Sequence, residues 1–325
     1  MSPVLANPTI PAPTAGEQDT PNSPSVDIPT TAGNLLDAPT ALALWHLSSL
    51  DAPTVAVVWA LAFAWAAHRT LPVWTPILLA LVAWPVYIAD RLLDVRSALR
   101  TAEPHPLRLR HHFHWRHRSL FIPCAALSAC AAAFIIATCM PVAARERNSF
   151  LVAAGLAYFS GVHARRSFPH FLSRLLRPLL AKETLVAIIF TAACALPTLG
   201  RTAAGGSVYF ALPLGRLMVA VFYFALLAGL NCHSIERWES DQNAFDGSPS
   251  SRSRTFPQGV GLAVAGLVLA GLLSSNHLIA FLVGSGAAAA LLLALLDQFR
   301  GRLTPLALRV AADLVLLTPL PFLFQ

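Results

Sequence analysis

Two short acidic clusters hold the residues of this sequence whose types and spacing could do chemistry. Asp90 and Asp94 stand in Val86-Tyr87-Ile88-Ala89-Asp90-Arg91-Leu92-Leu93-Asp94, and Asn231, Glu236, Glu239 and Asp241 stand in the run 231–241. On a helix, Asp90 and Asp94 are one turn apart on the same face. Two carboxylates at that spacing repel unless a cation sits between them. Glu236 and Glu239 are three apart and Asn231 lies two turns before Glu239, so with modest distortion the three reach one cavity. Acidic patches facing one another at one membrane surface suit Mg²⁺, which takes one or two carboxylates and otherwise prefers water and phosphate oxygens. A diphosphate substrate would supply those oxygens. The alternative is a pair of ordinary polar helix ends, with Asp90 and Asp94 paired to Arg91 and Arg96.

The elements that must position these residues follow from composition. The chain has 325 residues, 56% hydrophobic and 12% charged, with a mean hydropathy of +0.60, against about 25% charged in an ordinary soluble domain. This predicts an all-α, polytopic membrane helix bundle. A spanning helix needs roughly 17 to 25 mostly apolar residues. Nine segments qualify: about 52–68, 71–89, 119–140, 149–164, 179–199, 208–230, 258–275, 277–296 and 303–324. The acidic clusters close the second and the sixth. Four spans lie between them, an even number, so both clusters emerge on the same face of the membrane. Residues 41–47 (Ala-Leu-Ala-Leu-Trp-His-Leu) are expected to form a brief interfacial helix, with Trp45 at headgroup depth. Residues 1–40 are rich in Pro, Thr and Ser, carry no Lys or Arg, and read as a disordered tail before a membrane domain over 41–325. The tail lacks the features of a secretory signal, leaving targeting to the first span.

The net charge of +7 is carried almost wholly by arginine, Lys182 being the only lysine. A nucleic-acid binder would spread such charge over a polar surface; here it reads as topology and no nucleic-acid partner is expected. Loops after the even spans, with adjoining helix ends, hold seventeen of the basic residues and loops after the odd spans five. The positive-inside rule then places the N-terminus and the acidic clusters in the cytoplasm. An Arg-heavy, Ala/Leu-rich composition and the lack of a transit peptide point to a bacterial inner membrane. Four of the five cysteines lie in apolar runs and read as small hydrophobes rather than a disulfide framework.

At the acidic residues the chain resembles the UbiA superfamily of intramembrane prenyltransferases, which have nine helices, an NDxxDxxxD motif after helix two and a DxxxD-like motif after helix six. Asp90 and Asp94 match the last two aspartates of the first motif, whereas Val86 and Tyr87 stand where its Asn-Asp would be. Asn231, Glu236 and Glu239 match the second, with glutamate for aspartate. The resemblance implies metal binding by Asp90, Asp94, Glu236 and Glu239, and diphosphate binding by Tyr158, Arg165, Arg166 and Lys182. It also implies the reaction: Mg²⁺ and basic side chains neutralise the leaving diphosphate of a prenyl diphosphate, the allylic C–O bond ionises, and a lipophilic acceptor attacks the carbocation. Such a reaction needs charge stabilisation and exclusion of water. Tyr87, Tyr158 and Phe159 could stabilise the cation or simply pack in the core. A relative that has lost two ligands could instead bind isoprenoid lipid without catalysis.

Other charged features have simpler expectations. Arg110-His111-His112-Phe113-His114-Trp115-Arg116-His117-Arg118 reads as a basic aromatic segment lying on anionic headgroups rather than a metal site. Lys182 with Glu183, and Arg309 with Asp313, are adjacent or one turn apart and are expected to neutralise each other within the bundle. A small-solute transporter using Asp313 and Glu183 is the rival function, though no inverted repeat is visible. The glycines of 259–271 and 284–286 suit close helix packing.

Overall fold

The computed structural model describes residues 40–99, 109–163, 182–203, 211–243 and 255–324, and every regular element among them is helical. The tail over 1–39, the arginines at 165 and 166, and the Ser-Arg-Ser-Arg stretch at 251–254 lie outside the described residues. The helices are α1 Ala41–Leu47, α2 Asp51–Ala66, α3 Trp74–Ala98, α4 Leu109–Arg116, α5 Arg118–Thr138, α6 Val142–His163, α7 Lys182–Ala203, α8 Ala211–Asn243, α9 Thr255–Leu272, α10 His277–Phe299 and α11 Pro305–Val315, followed by a 3₁₀ turn over Leu320–Phe324.

Local chemistry sets several boundaries. The Thr40 hydroxyl accepts from the Ala43 N–H to start α1, and the Asn276 and Thr304 side chains do the same at α10 and α11, where Pro305 follows as a residue that needs no N–H partner. The α1–α2 pair bends by 90°. The bend turns on Ser49, a buried residue at φ 58°, in the left-handed region that disfavours a residue with a Cβ.

The exterior is that of a protein solvated by lipid. Leu127, Phe134, Val152, Leu156, Phe222, Val264, Leu267 and Val268 all point outward from long helices, an apolar surface far larger than a water-soluble monomer carries. Among the described residues six helices are long and apolar enough to cross a membrane, and seven if the bent α1–α2 pair is one broken span. The three other expected spans are also helical but differ in kind. α2 alone has 16 residues, α6 carries Arg145, Glu146 and Arg147 in its first two turns, and α11 has 11 residues before the chain turns. The molecule is therefore an all-helical bundle of the membrane class.

The core is aromatic at its centre and small-residue-lined at one side. Trp59 of α2 stacks on Phe224 of α8 at 3.8 Å between ring centroids, with Phe63 edge-on to Phe224, and the Trp59 indole N–H donates to the Leu316 carbonyl at 2.8 Å. This bond satisfies a carbonyl freed by the end of α11. α9 and α10 approach closely through Gly259, which faces Ala290 and Ala294, while Gly266 and Gly286 make room for the Tyr223 ring. The Tyr223 hydroxyl donates to the Leu262 carbonyl at 2.9 Å.

Candidate functional site: a polar end of the bundle

The end of α3, the end of α8 and the starts of α2, α7 and α11 meet at one end of the bundle, together with α1 and α4. Most of the internal charges gather here.

Asp90 and Asp94 project from the last turns of α3 toward the first residue of α7. Lys182 Nζ stands 3.3 Å from Asp90 Oδ1 and 3.4 Å from Asp94 Oδ2, so the two carboxylates converge on one cationic point. Arg91 is buried and its Nε donates to Ser49 Oγ at 2.8 Å, close enough to Asp51 to act on it electrostatically, and Arg96 is exposed. Lys182 therefore serves the aspartates, not Glu183 beside it as the sequence led us to expect. A lysine reaching across to α3 can neutralise two repelling carboxylates, whereas pairing with Glu183 would leave them uncompensated.

In the second cluster Asn231 is buried and its Oδ1 accepts no hydrogen bond among the described residues, while Glu236 faces outward. Glu239 Oε1 meets two guanidinium groups, Arg309 of α11 in close contact and Arg110 of α4 at 3.4 Å. Here too the sequence expectation is corrected. Arg309 goes to Glu239 rather than to Asp313, because the short helix α11 places one charge against α8 and the next, a turn on, against α1 and α2. Asp241 takes Arg300 at 3.1 Å. Buried Asp297 ties α8, α9 and α10 together, accepting from the Trp238 indole at 2.7 Å and the Phe256 N–H at 3.1 Å. Tyr158 lies in the last turns of α6; Arg165 and Arg166 fall outside the described residues.

One face of the His-rich run packs into the bundle. Arg110, His111 and His114 are buried on one face of α4, while His112, Arg116 and Arg118 face outward. His114 sits in a continuous chain: Arg91 Nε–H to Ser49 Oγ, Ser49 against His114 Nε2 at 3.3 Å, and His114 Nδ1 against the Arg110 carbonyl at 2.8 Å. The carbonyl can only accept, so Nδ1 carries the proton, and in the neutral ring Nε2 accepts from the serine hydroxyl. Burial pushes the His114 pKa down to about 4, with the nearby Arg91 and Arg110 charges adding to the shift and the hydrogen bond to the Arg110 carbonyl opposing it.

A group that the sequence reading passed over lies beside this chain. His46 of α1 directs Nδ1 at Asp51 Oδ2, 2.7 Å away at the start of α2, and at Asp313 Oδ2, 3.1 Å away in α11. The Tyr87 side chain is close to both aspartates, and the Cys232 side chain is within electrostatic reach of Asp313 and Glu183. The available signal was a histidine and two isolated acids in apolar runs, each a costly placement in a membrane protein.

Comparison of the chain with family models, with curated proteins and with solved structures finds no match in any of the three. The fold and the polar end define the class alone, an integral helical membrane protein with buried ionisable groups at one end of its bundle.

Proposed function

We propose that the chain is a UbiA-like intramembrane prenyltransferase of nine membrane segments, which transfers a prenyl group from a prenyl diphosphate to a lipophilic acceptor, with its polar end at the cytoplasmic face of a bacterial inner membrane. The observation that carries this reading is the convergence of Asp90 and Asp94 on the Lys182 ammonium. Two carboxylates one turn apart with a lysine between them fit a Mg²⁺–diphosphate group: the donors are hard oxygens, and the lysine can move from the carboxylates to a phosphate. When bound, Mg²⁺ would supply positive charge for the departing diphosphate. Asp90 and Asp94 would hold the ion, Lys182 would bind a diphosphate oxygen, and Arg165 and Arg166 would add charge from the same connection. The allylic C–O bond would break with its electron pair leaving on the diphosphate, and the acceptor would attack the carbocation and give up the displaced proton to the released diphosphate, in a site screened from water by the apolar bundle. Glu239, held by two arginines, would steady the wall formed by α4, α8 and α11, with Asn231 and Glu236 completing the acidic end.

The test is Mg²⁺-dependent binding of geranylgeranyl diphosphate to detergent-purified protein. Asp90→Ala/Asp94→Ala and Lys182→Met are each expected to weaken binding by tenfold or more, since a charge-assisted contact is worth about 1.5–3 kcal/mol. Binding that ignores Mg²⁺ but needs an intact protein would mark a non-catalytic isoprenoid-lipid-binding relative. A second reading, a small-solute transporter using Asp313 and Glu183, is favoured by the placement of Asp313 beside the buried His46 of α1 and Asp51 of α2. It predicts a functional loss in Asp313→Asn and none in Asp94→Asn.

A further inference from the structure

We propose that His46, Asp51 and Asp313 form a binding site for a divalent first-row transition ion, separate from the Asp90–Asp94 pair. One ligand atom from each lies within 4.8 Å of the others, and the three residues come from α1, α2 and α11. His46 is 1% exposed, and its Nδ1 is buried without an aligned hydrogen bond. Both carboxylate oxygens are near it, at 2.7 and 3.1 Å, yet neither forms a well-aligned hydrogen bond with it. Three ligand atoms gathered this closely are placed as neighbouring ligands of a common ion would be. Neighbouring donors at right angles on an octahedral ion with bonds of about 2.1 Å stand about 3.0 Å apart, between the two distances observed.

The donor set selects the class of ion. One imidazole with two carboxylates is softer than the all-oxygen sets of Mg²⁺ and Ca²⁺ and harder than the thiolate sets of structural zinc, which suits Zn²⁺, Mn²⁺, Fe²⁺ or Co²⁺. Two aspartates balance the charge of a divalent ion. Asp51 is already oriented, its Oδ1 accepting from the Ala52 N–H at 2.9 Å and leaving Oδ2 for the site. The left-handed Ser49 and the 90° bend between α1 and α2 bring His46 back over Asp51, so the strained turn has a use as the device that closes the site. Three protein donors leave room for water or for a ligand group at the remaining positions.

Untagged, detergent-purified full-length chain, stripped with chelator, is titrated with Co²⁺ and Zn²⁺. We expect one Co²⁺ per chain with a visible d–d band, displaced by Zn²⁺, and a thermal midpoint that rises on metal addition. His46→Gln and Asp313→Asn should each weaken Co²⁺ binding by about 100-fold or more, because losing a ligand exceeds the 10–100-fold typical of losing an outer-shell partner. Asp94→Asn and His112→Ala should bind as wild type, which separates this site from the proposed diphosphate site and from the exposed histidine of α4. Wild-type chain that takes up no Co²⁺ or Zn²⁺ overturns the proposal, and so does uptake unaffected by His46→Gln in a folded protein. If neither variant folds, the stoichiometry and band of the wild-type chain decide alone.

Discussion

His114 shows how one buried side chain sets a pH limit on the whole molecule. Its two partners suit the neutral ring, and burial holds its pKa at about 4 rather than the ordinary 6.5. Below pH 6.5 the unfolded chain takes up a proton that the folded chain refuses, so this contribution to stability is complete above about 6.5 and is lost progressively as pH falls toward 4. Thermal unfolding in detergent at pH 7.5 and pH 4.5 should therefore show a larger drop for the wild type than for His114→Asn, which lacks the titrating ring. An equal drop in both would mean that His114 titrates at its ordinary value. Residue by residue, the acidic spacing at Asp90 and Asp94 was legible in the sequence, because i and i+4 on a helix share a face whatever the tertiary fold. Their cation was not. Lys182 is 92 and 88 residues further along the chain, and its adjacent Glu183 offered a nearer partner that the fold does not use.

At the scale of elements, the glycines separate into those that meet a neighbour and those that face open space. A Cβ on Gly259 would come within 2.9 Å of the Ala294 Cβ and 3.0 Å of the Ala290 carbonyl, whereas one on Gly261 meets nothing within 4 Å. Overpacking of this kind costs about 1–3 kcal/mol. Gly259→Ala should lower the thermal midpoint by several degrees and Gly261→Ala should leave it nearly unchanged; similar midpoints would show that α9 and α10 can part at little cost. The segment over 41–47 was expected as a brief helix and is one. The turn after it and the inward face of α4 depend on long-range partners, since Ser49 is held by Arg91 and His114, which lie 42 and 65 residues away. Local pattern identified the histidine run as basic and aromatic. Which of its faces would be buried was decided by Ser49 in the α1–α2 turn and Glu239 on α8.

The whole molecule has a polar end and an opposite end marked by Asn276 and His277, where α9 passes to α10. Cysteines placed at Arg96 and Arg302 in a cysteine-free background should react with an impermeant maleimide from the same side of sealed vesicles, and one at His277 only from the other. Labelling of Arg96→Cys and Arg302→Cys from opposite sides would contradict the bundle. At this scale the apolar composition alone demanded a helical membrane protein, because backbone groups in lipid must bond within their own segment. The number of full crossings was less legible. α6 and α11 have the apolar content of spans in part only, and their charges, Arg145 to Arg147 and Arg309 with Asp313, find partners such as the Gly200 carbonyl and Glu239 that no hydropathy pattern contains.

Composition, period and spacing by themselves determined that this chain is an all-helical membrane bundle, that its charges concentrate at helix ends, and that Asp90 and Asp94 form one acidic face. These are consequences of solvent and of helix geometry, which act on every segment independently. Only the tertiary structure decided the pairings: Lys182 with both aspartates, Arg309 and Arg110 with Glu239, and His46 with Asp51 and Asp313. A buried charge takes whatever opposite charge packing brings within reach, and that choice depends on helices far apart in sequence meeting at one end of the bundle.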